Sequence, residues 1–135
     1  MDRLVLDTNV LIQIMPSRSK YRRLWNEISN GKYELCLSTE ILEEYEEILQ
    51  AKTSVLFATA IIKLLINNAS SVFVTPYYKF NLIQADPDDN KFVDCAVAGS
   101  AKYIVSDDRH FEILKSIDFP KVDVITLDEM MEELN

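Results

Sequence analysis

Among the residues able to do chemistry, the acids stand out, and first those that end short apolar runs. Asp7 closes the run Arg3-Leu4-Val5-Leu6 and opens Asp7-Thr8-Asn9, while Asp107 and Asp108 follow Tyr103-Ile104-Val105 and Ser106. Short apolar runs read as buried strands, and ligands of open parallel sheets bind beyond the carboxyl ends of the strands. An Asp after a strand is also a common helix cap. What separates the two readings is whether further acids converge on the same place.

Helical geometry, at roughly 100° per residue, sorts the remaining acids. On the helix opened by Asp86-Pro87, the apolar stripe is Phe92, Val93, Ala96 and Val97, and Asp89 falls in line with it. Asp88 lies nearer the stripe's edge and Asp94 well off it. The competing reading makes Asp89 the third helical residue, completing the cap begun by Asp86 and favoured by the helix dipole. In the acidic stretch Glu40 to Glu47, the apolar residues Ile41, Leu42, Tyr45, Ile48 and Leu49 span an arc of roughly 120°. Glu40, Glu43 and Glu47 point away from that arc, whereas Glu44 and Glu46 border its two edges. Geometry leaves both open. Several carboxylates converging on one sheet end repel one another without a counter-charge. All-oxygen ligation suits a hard cation, so Mg²⁺ or Mn²⁺ is the expected guest. Such ions activate a water and clamp the oxygens of a phosphodiester.

The elements that must position these acids follow from periodicity and punctuation. Strands are expected over 3–6, 34–37, 72–74, 103–105 and 122–125. Helices are expected after Asp7 up to Pro16, over 17–28, from Ser38, from Thr53 to about Asn67, from Asp86 to Gly99, over 111–114 and over 127–134. The stretch 76–85 reads as loop or as an irregular edge. Short apolar strands alternating with amphipathic helices predict an α/β fold, a parallel sheet of about five strands covered on both faces. At 135 residues, one domain spanning 1–135 is expected.

The strings LVLDTNVLI, STEILEEYEEIL and DPDDNKFVDCAVAGSAKYIVSDDRHF together resemble the PIN-domain ribonucleases, in particular VapC-like toxins of toxin–antitoxin pairs. That resemblance covers nearly the whole chain. It implies a three-layer α/β/α sandwich and four acids, catalytic and metal-ligating, around Mg²⁺ or Mn²⁺. The family's first acid matches Asp7. Its second follows a Ser-x-x-apolar-apolar-x-Glu pattern that matches Ser38 through Glu44, which selects Glu44 over Glu46. Its third stands three residues before an apolar one, as Asp89 does before Phe92. Its fourth closes Val105-Ser106-Asp107-Asp108 and selects Asp108, although the middle position, often Gly, is Asp107 here. Thr8, Asn9 and Ser106 match polar positions that orient the acids or the attacking water. Asp107 and Asp88 are the next candidates. The implied partners are an RNA substrate, a cognate antitoxin and a second copy of the chain.

Composition narrows the field. Lys plus Arg number 14 against 22 acids, a net charge of −8, so no global basic footprint for nucleic acid exists. The densest positive patch is Arg18, Lys20, Arg22 and Arg23, a candidate for RNA phosphates. Two cysteines inside apolar runs read as buried free thiols, and with a single His they exclude structural zinc. Trp25 reads as core or a partner surface, and His110 as a surface or substrate-edge residue. No apolar run approaches a membrane span, so a cytoplasmic, membrane-free protein is expected. Two other classes compete. A phosphotransfer or receiver-type switch also gathers acids at strand ends, but it favours an Asp at position 9, where Asn stands, and a Lys after the last strand, where Thr126 and Leu127 stand. A PIN-like RNA- or protein-binding module without catalysis is the other.

Overall fold

A computed structural model describes all residues from Met1 to Asn135. Its elements, in chain order, are β1 (Asp2–Leu6), α1 (Thr8–Ile14), α2 (Arg22–Ser29), β2 (Tyr33–Leu37), α3 (Thr39–Lys52), α4 (Val55–Asn67) and β3 (Ser71–Phe73). After a long connection come a 3₁₀ turn (Pro87–Asp89), α5 (Asn90–Ala98), β4 (Tyr103–Val105), a 3₁₀ segment (Arg109–Ser116), β5 (Val124–Ile125) and α6 (Leu127–Glu133).

The strands form one parallel sheet in the order β3-β2-β1-β4-β5. β1 is central because Leu4, Val5 and Leu6 are wholly buried, so it requires cover on both faces. The crossovers β1→β2 and β2→β3 step one way across the sheet, and β3→β4 steps back past β1. Right-handed crossovers therefore put the intervening helices on opposite faces, giving three layers. On one face α5 lies against β1, β2 and β4, and Arg3 donates to the Gly99 carbonyl at 3.0 Å while pairing with Glu34. Gly99 is tightly enclosed: a Cβ there would stand 2.8 Å from Cys36 Sγ. The core is a single cluster of 33 buried apolar residues.

Several boundaries depart from the sequence expectation. The second helix begins at Arg22 instead of Ser17 because the Ser19 hydroxyl donates to the Gln13 carbonyl and accepts from Tyr21 N, fixing a turn there. Ser54, not Thr53, caps α4, accepting from Phe57 N. The helix expected from Asp86 starts as a 3₁₀ turn, capped by Asp86 Oδ1 accepting from Asp88 N, and becomes α-helical only at Asn90. The segment after Val105 is 3₁₀ and longer than expected, and β5 is only Val124–Ile125. Asp94, off the apolar stripe of α5, is nevertheless buried, because the 76–85 segment folds over it and Phe80 N donates to its carboxylate at 3.1 Å. Cys36 and Cys95 are buried free thiols, held by burial at about 11 and about 12. Trp25 is core. No helix is long and apolar enough to cross a membrane.

Candidate active site

Chain order reverses between β1 and β4, so their carboxyl ends form the crevice at a topological switch point where α/β sheets bind ligands. Asp7 stands immediately after β1, and its N–H donates to the Val105 carbonyl of β4, which ties the two strand ends together. Ser106, immediately after β4, donates its hydroxyl to Asp7 Oδ2 at 2.8 Å and accepts from Asp108 N at 3.0 Å. One serine thus joins the acid of the first strand end to the acid of the second. Burial raises the Asp7 pKa; the Ser106 hydroxyl and Thr8 N–H partly offset it, and the charges of Asp108 and Glu44 add to it.

α3 brings in Glu44. Ser38 accepts from Ile41 N and starts the helix, and the Tyr45 hydroxyl donates to the Leu6 carbonyl, which fixes the helix's rotation over the end of β1. With Tyr45 inward, Glu44 lies half-buried and Glu46 is exposed. Glu44 accepts the Thr8 hydroxyl on one oxygen and the Lys91 ammonium, at 3.0 Å, on the other. Burial works against the Lys91 charge, but the hydrogen bond and charge of Glu44 outweigh it and raise the lysine's pKa.

The 3₁₀ turn before α5 delivers Asp89, 8% exposed. Its Oδ2 is buried without a hydrogen-bond partner. Burial, followed by the charges of Asp86, Asp108, Asp7 and Glu44, pushes its carboxyl up to about 7. Asp108 caps the 3₁₀ segment, with Oδ1 accepting from His110 N at 2.9 Å. Its neighbour Asp107 is exposed on the wall of the groove that Asp7 and Asp108 also line, and its Oδ1 accepts from Leu127 N at 3.0 Å at the start of α6. Asp88 is exposed. Asn9 is also exposed, its side-chain oxygen accepting from Lys52 at the rim of a groove that Asp7, Gln13 and Asp108 help to line.

The geometry therefore brings Asp7, Glu44, Asp89 and Asp108 to one sheet end, with Thr8 bonded to Glu44 and Ser106 to Asp7; Glu46 and Asp88 are exposed, and Asp107 stands at the groove wall with one oxygen tied to Leu127 N. His110, read from the sequence as a surface or substrate-edge residue, and Asp86, read as a cap, also stand beside this group: His110 Nδ1 lies 3.4 Å from Asp108, 3.7 Å from Asp89 and 3.9 Å from Asp86. The available signals were its place two residues after Asp108 and that of Asp86 three before Asp89. Arg22 and Arg23 of the basic patch bond main-chain carbonyls of Met15 and Leu134.

A PIN-domain family profile matches residues 3–110. The chain belongs to the PIN-domain family. No curated protein matches it in sequence. Among solved structures it is similar to a chain of DNA-bound VapBC from Salmonella typhimurium, at 17% identity and a TM-score of 0.64, covering 94% of this chain and 99% of that one. VapBC-1 from nontypeable Haemophilus influenzae is similar at 15% identity, TM-score 0.62, covering 93% and 98%. The PIN domain of Trypanosoma brucei RRP44 (T. brucei) follows at 11% identity, TM-score 0.54, covering 98% and 81%. At these identities the likeness is one of fold.

Proposed function

We propose that the chain is a divalent-metal-dependent endoribonuclease that hydrolyses RNA phosphodiester bonds, with Asp7, Glu44, Asp89 and Asp108 holding Mg²⁺ or Mn²⁺. Membership in a family of nucleases supports the hydrolytic class. The observation that carries the reading is the unpartnered, buried Asp89 Oδ2 amid like charges. Carboxylates so placed fit a hard cation, which supplies both their counter-charge and the missing partner. When bound, the cation supplies a water of lowered pKa and a positive contact for the phosphodiester oxygens.

The chain's own groups prepare that site. Ser106 fixes which oxygen of Asp7 faces the crevice, and the Thr8 hydroxyl with Lys91 holds both oxygens of Glu44 in place. Lys52, beside Asn9 at the groove's rim, is the cation placed to meet an RNA phosphate. Likeness to chains of VapBC complexes supports a role as the toxin of a toxin–antitoxin pair. We accordingly assign it a cognate antitoxin, a homodimeric state, a cytoplasmic location and a single domain over 1–135. Purified protein incubated with single-stranded RNA and Mg²⁺ or Mn²⁺ should cleave it and stop on addition of EDTA. Unchanged cleavage in chelator overturns the metal mechanism, and metal binding with no cleavage at all favours the binding-module alternative.

A further inference from the structure

We propose that His110 is itself a metal ligand, its Nδ1 joining Asp86 and Asp89 in a mixed nitrogen–oxygen cation site that takes Mn²⁺ and later first-row ions ahead of Mg²⁺. This rests on the proposed metal-dependent reading of the same sheet end and changes its donor set, since the four acids alone offer only oxygen.

Three observations carry it. Nδ1 of His110 and Oδ2 of Asp89 are both buried and both lack a hydrogen-bond partner, although they face each other at 3.7 Å. Buried polar atoms are rarely left unpaired, and two facing each other mark a place where a third party fits. Second, Nδ1 has carboxylate oxygens around it at 3.4, 3.7 and 3.9 Å, and none is close enough for a direct charged hydrogen bond of about 2.9 Å. Donors sharing one ion at about 2.1 Å stand roughly 3 to 4 Å apart, and the donor atoms of Asp86, Asp89 and His110 all lie within 4.8 Å of one another. Third, the backbone is already arranged for it. Asp86 uses Oδ1 to cap Asp88 N, which leaves Oδ2 toward the imidazole, and Asp108 holds His110 N.

An imidazole nitrogen is a poor partner for Mg²⁺ and a better one for transition ions, whose affinity for nitrogen rises along the first row. Nδ1 ligation leaves the ring proton on Nε2, on the side of the 39%-exposed side chain open to solvent.

Because the chain has one His, protein labelled with ¹⁵N only at histidine carries a single reporter residue. In pulsed EPR of the Mn²⁺-loaded protein, a directly bonded nitrogen coupling should appear and change between ¹⁴N and ¹⁵N histidine. Calorimetric titration should show His110→Gln weakening Mn²⁺ binding by roughly tenfold or more while Mg²⁺ binding stays within about twofold. Asp86→Asn keeps the capping oxygen and removes the second donor, so it should weaken Mn²⁺ in the same direction. Mn²⁺ that binds with no histidine coupling, or equal losses for both ions in His110→Gln, overturns the inference and leaves the carboxylate site standing. No Mn²⁺ or Mg²⁺ binding at all overturns both.

Discussion

Two helix starts in this protein carry the same local pattern of a capping residue followed three positions later by an acid, and they end in opposite environments. At α6, Thr126 accepts from Glu129 N and Glu129 Oε1 accepts from Thr126 N, a closed capping box on an exposed surface. Those hydrogen bonds from Thr126 lower the Glu129 pKa. At the start of α5, Asp86 bonds Asp88 N, and Asp89 is left buried with an unpartnered oxygen and a carboxyl near 7. The cap needs an acid that reaches back, which Glu129 does. Asp89 does not: its buried Oδ2 lies 3.7 Å from His110 Nδ1, among the charges of Asp86, Asp108, Asp7 and Glu44. What sets Asp89 apart from Glu129 is thus not its position in a helix but an unsatisfied oxygen among buried like charges, and that is why the proposed site includes it.

Cleavage gives the strongest test of that contrast. Asp89→Asn should lower single-stranded RNA cleavage by roughly 100-fold or more, the scale for removing a group that stabilises developing charge, while Glu129→Gln leaves the rate near wild type. Glu44→Gln against Glu46→Gln, and Asp108→Asn against Asp107→Asn, should divide the same way; equal losses within a pair break the site as drawn.

Metal-linked stability comes next. Saturating Mn²⁺ should raise the Tm of wild type, by about 2.7 kcal/mol of stabilisation at a hundredfold excess over Kd, and raise that of Asp89→Asn much less. Melting curves with and without the ion check it, and Glu129→Gln should respond as wild type does.

In metal-free protein the two acids should act with opposite sign. Asp89 has a folded pKa of about 7 against 3.8, so its charge destabilises the fold above its unfolded pKa. The penalty is absent below about pH 4, grows as pH rises to 7 and is complete above that. Asp89→Asn should therefore stabilise the metal-free protein by about 1 kcal/mol at pH 8 and by nothing at pH 3.5. Glu129, with its lowered pKa, contributes stability above its unfolded pKa that is lost on acidification, so Glu129→Gln should lower the Tm slightly at pH 8. Denaturation at the two pH values decides both, and destabilisation of metal-free protein by Asp89→Asn returns that residue to a capping role.

Much of this was legible in the residues. The five strands, the Ser38 and Asp86 caps, the placing of Asp7 and Asp108 after strands and that of Asp89 in line with the apolar stripe of α5 follow from apolar runs and turn chemistry, because the period of a buried strand or helix is written locally. Glu44 against Glu46 was not decidable by period, since both flank the stripe; the Tyr45 hydroxyl on the Leu6 carbonyl, a contact 39 residues apart, sets the rotation. Asp107 against Asp108 likewise turns on a bond to Leu127 N, 20 residues on. The acids around His110 were not readable because Asp86 and Asp89 reach it from a stretch more than 20 residues away, and the burial of Asp94 was not readable because the segment that covers it has no period to read.

The side chain of Asn90 acts as a clasp on that segment. It accepts from Ile83 N at 2.9 Å, donates to the Ile83 carbonyl at 2.9 Å and donates to the Pro87 carbonyl at 3.1 Å, standing in for the strand neighbour that 76–85 lacks. A chain stretch without ladder bonds ordinarily exchanges its amide hydrogens early, through small local openings. Ile83, 1% exposed and held at both backbone groups, should exchange far more slowly than Tyr77 or Tyr78, which lie out in solvent at 94% and 68% exposure. Since Asn90 adjoins Asp89, each opening of the clasp also frees the turn that aims the buried acid. The exchange rate of one amide, Ile83, thereby clocks how often the sheet end loses its shape.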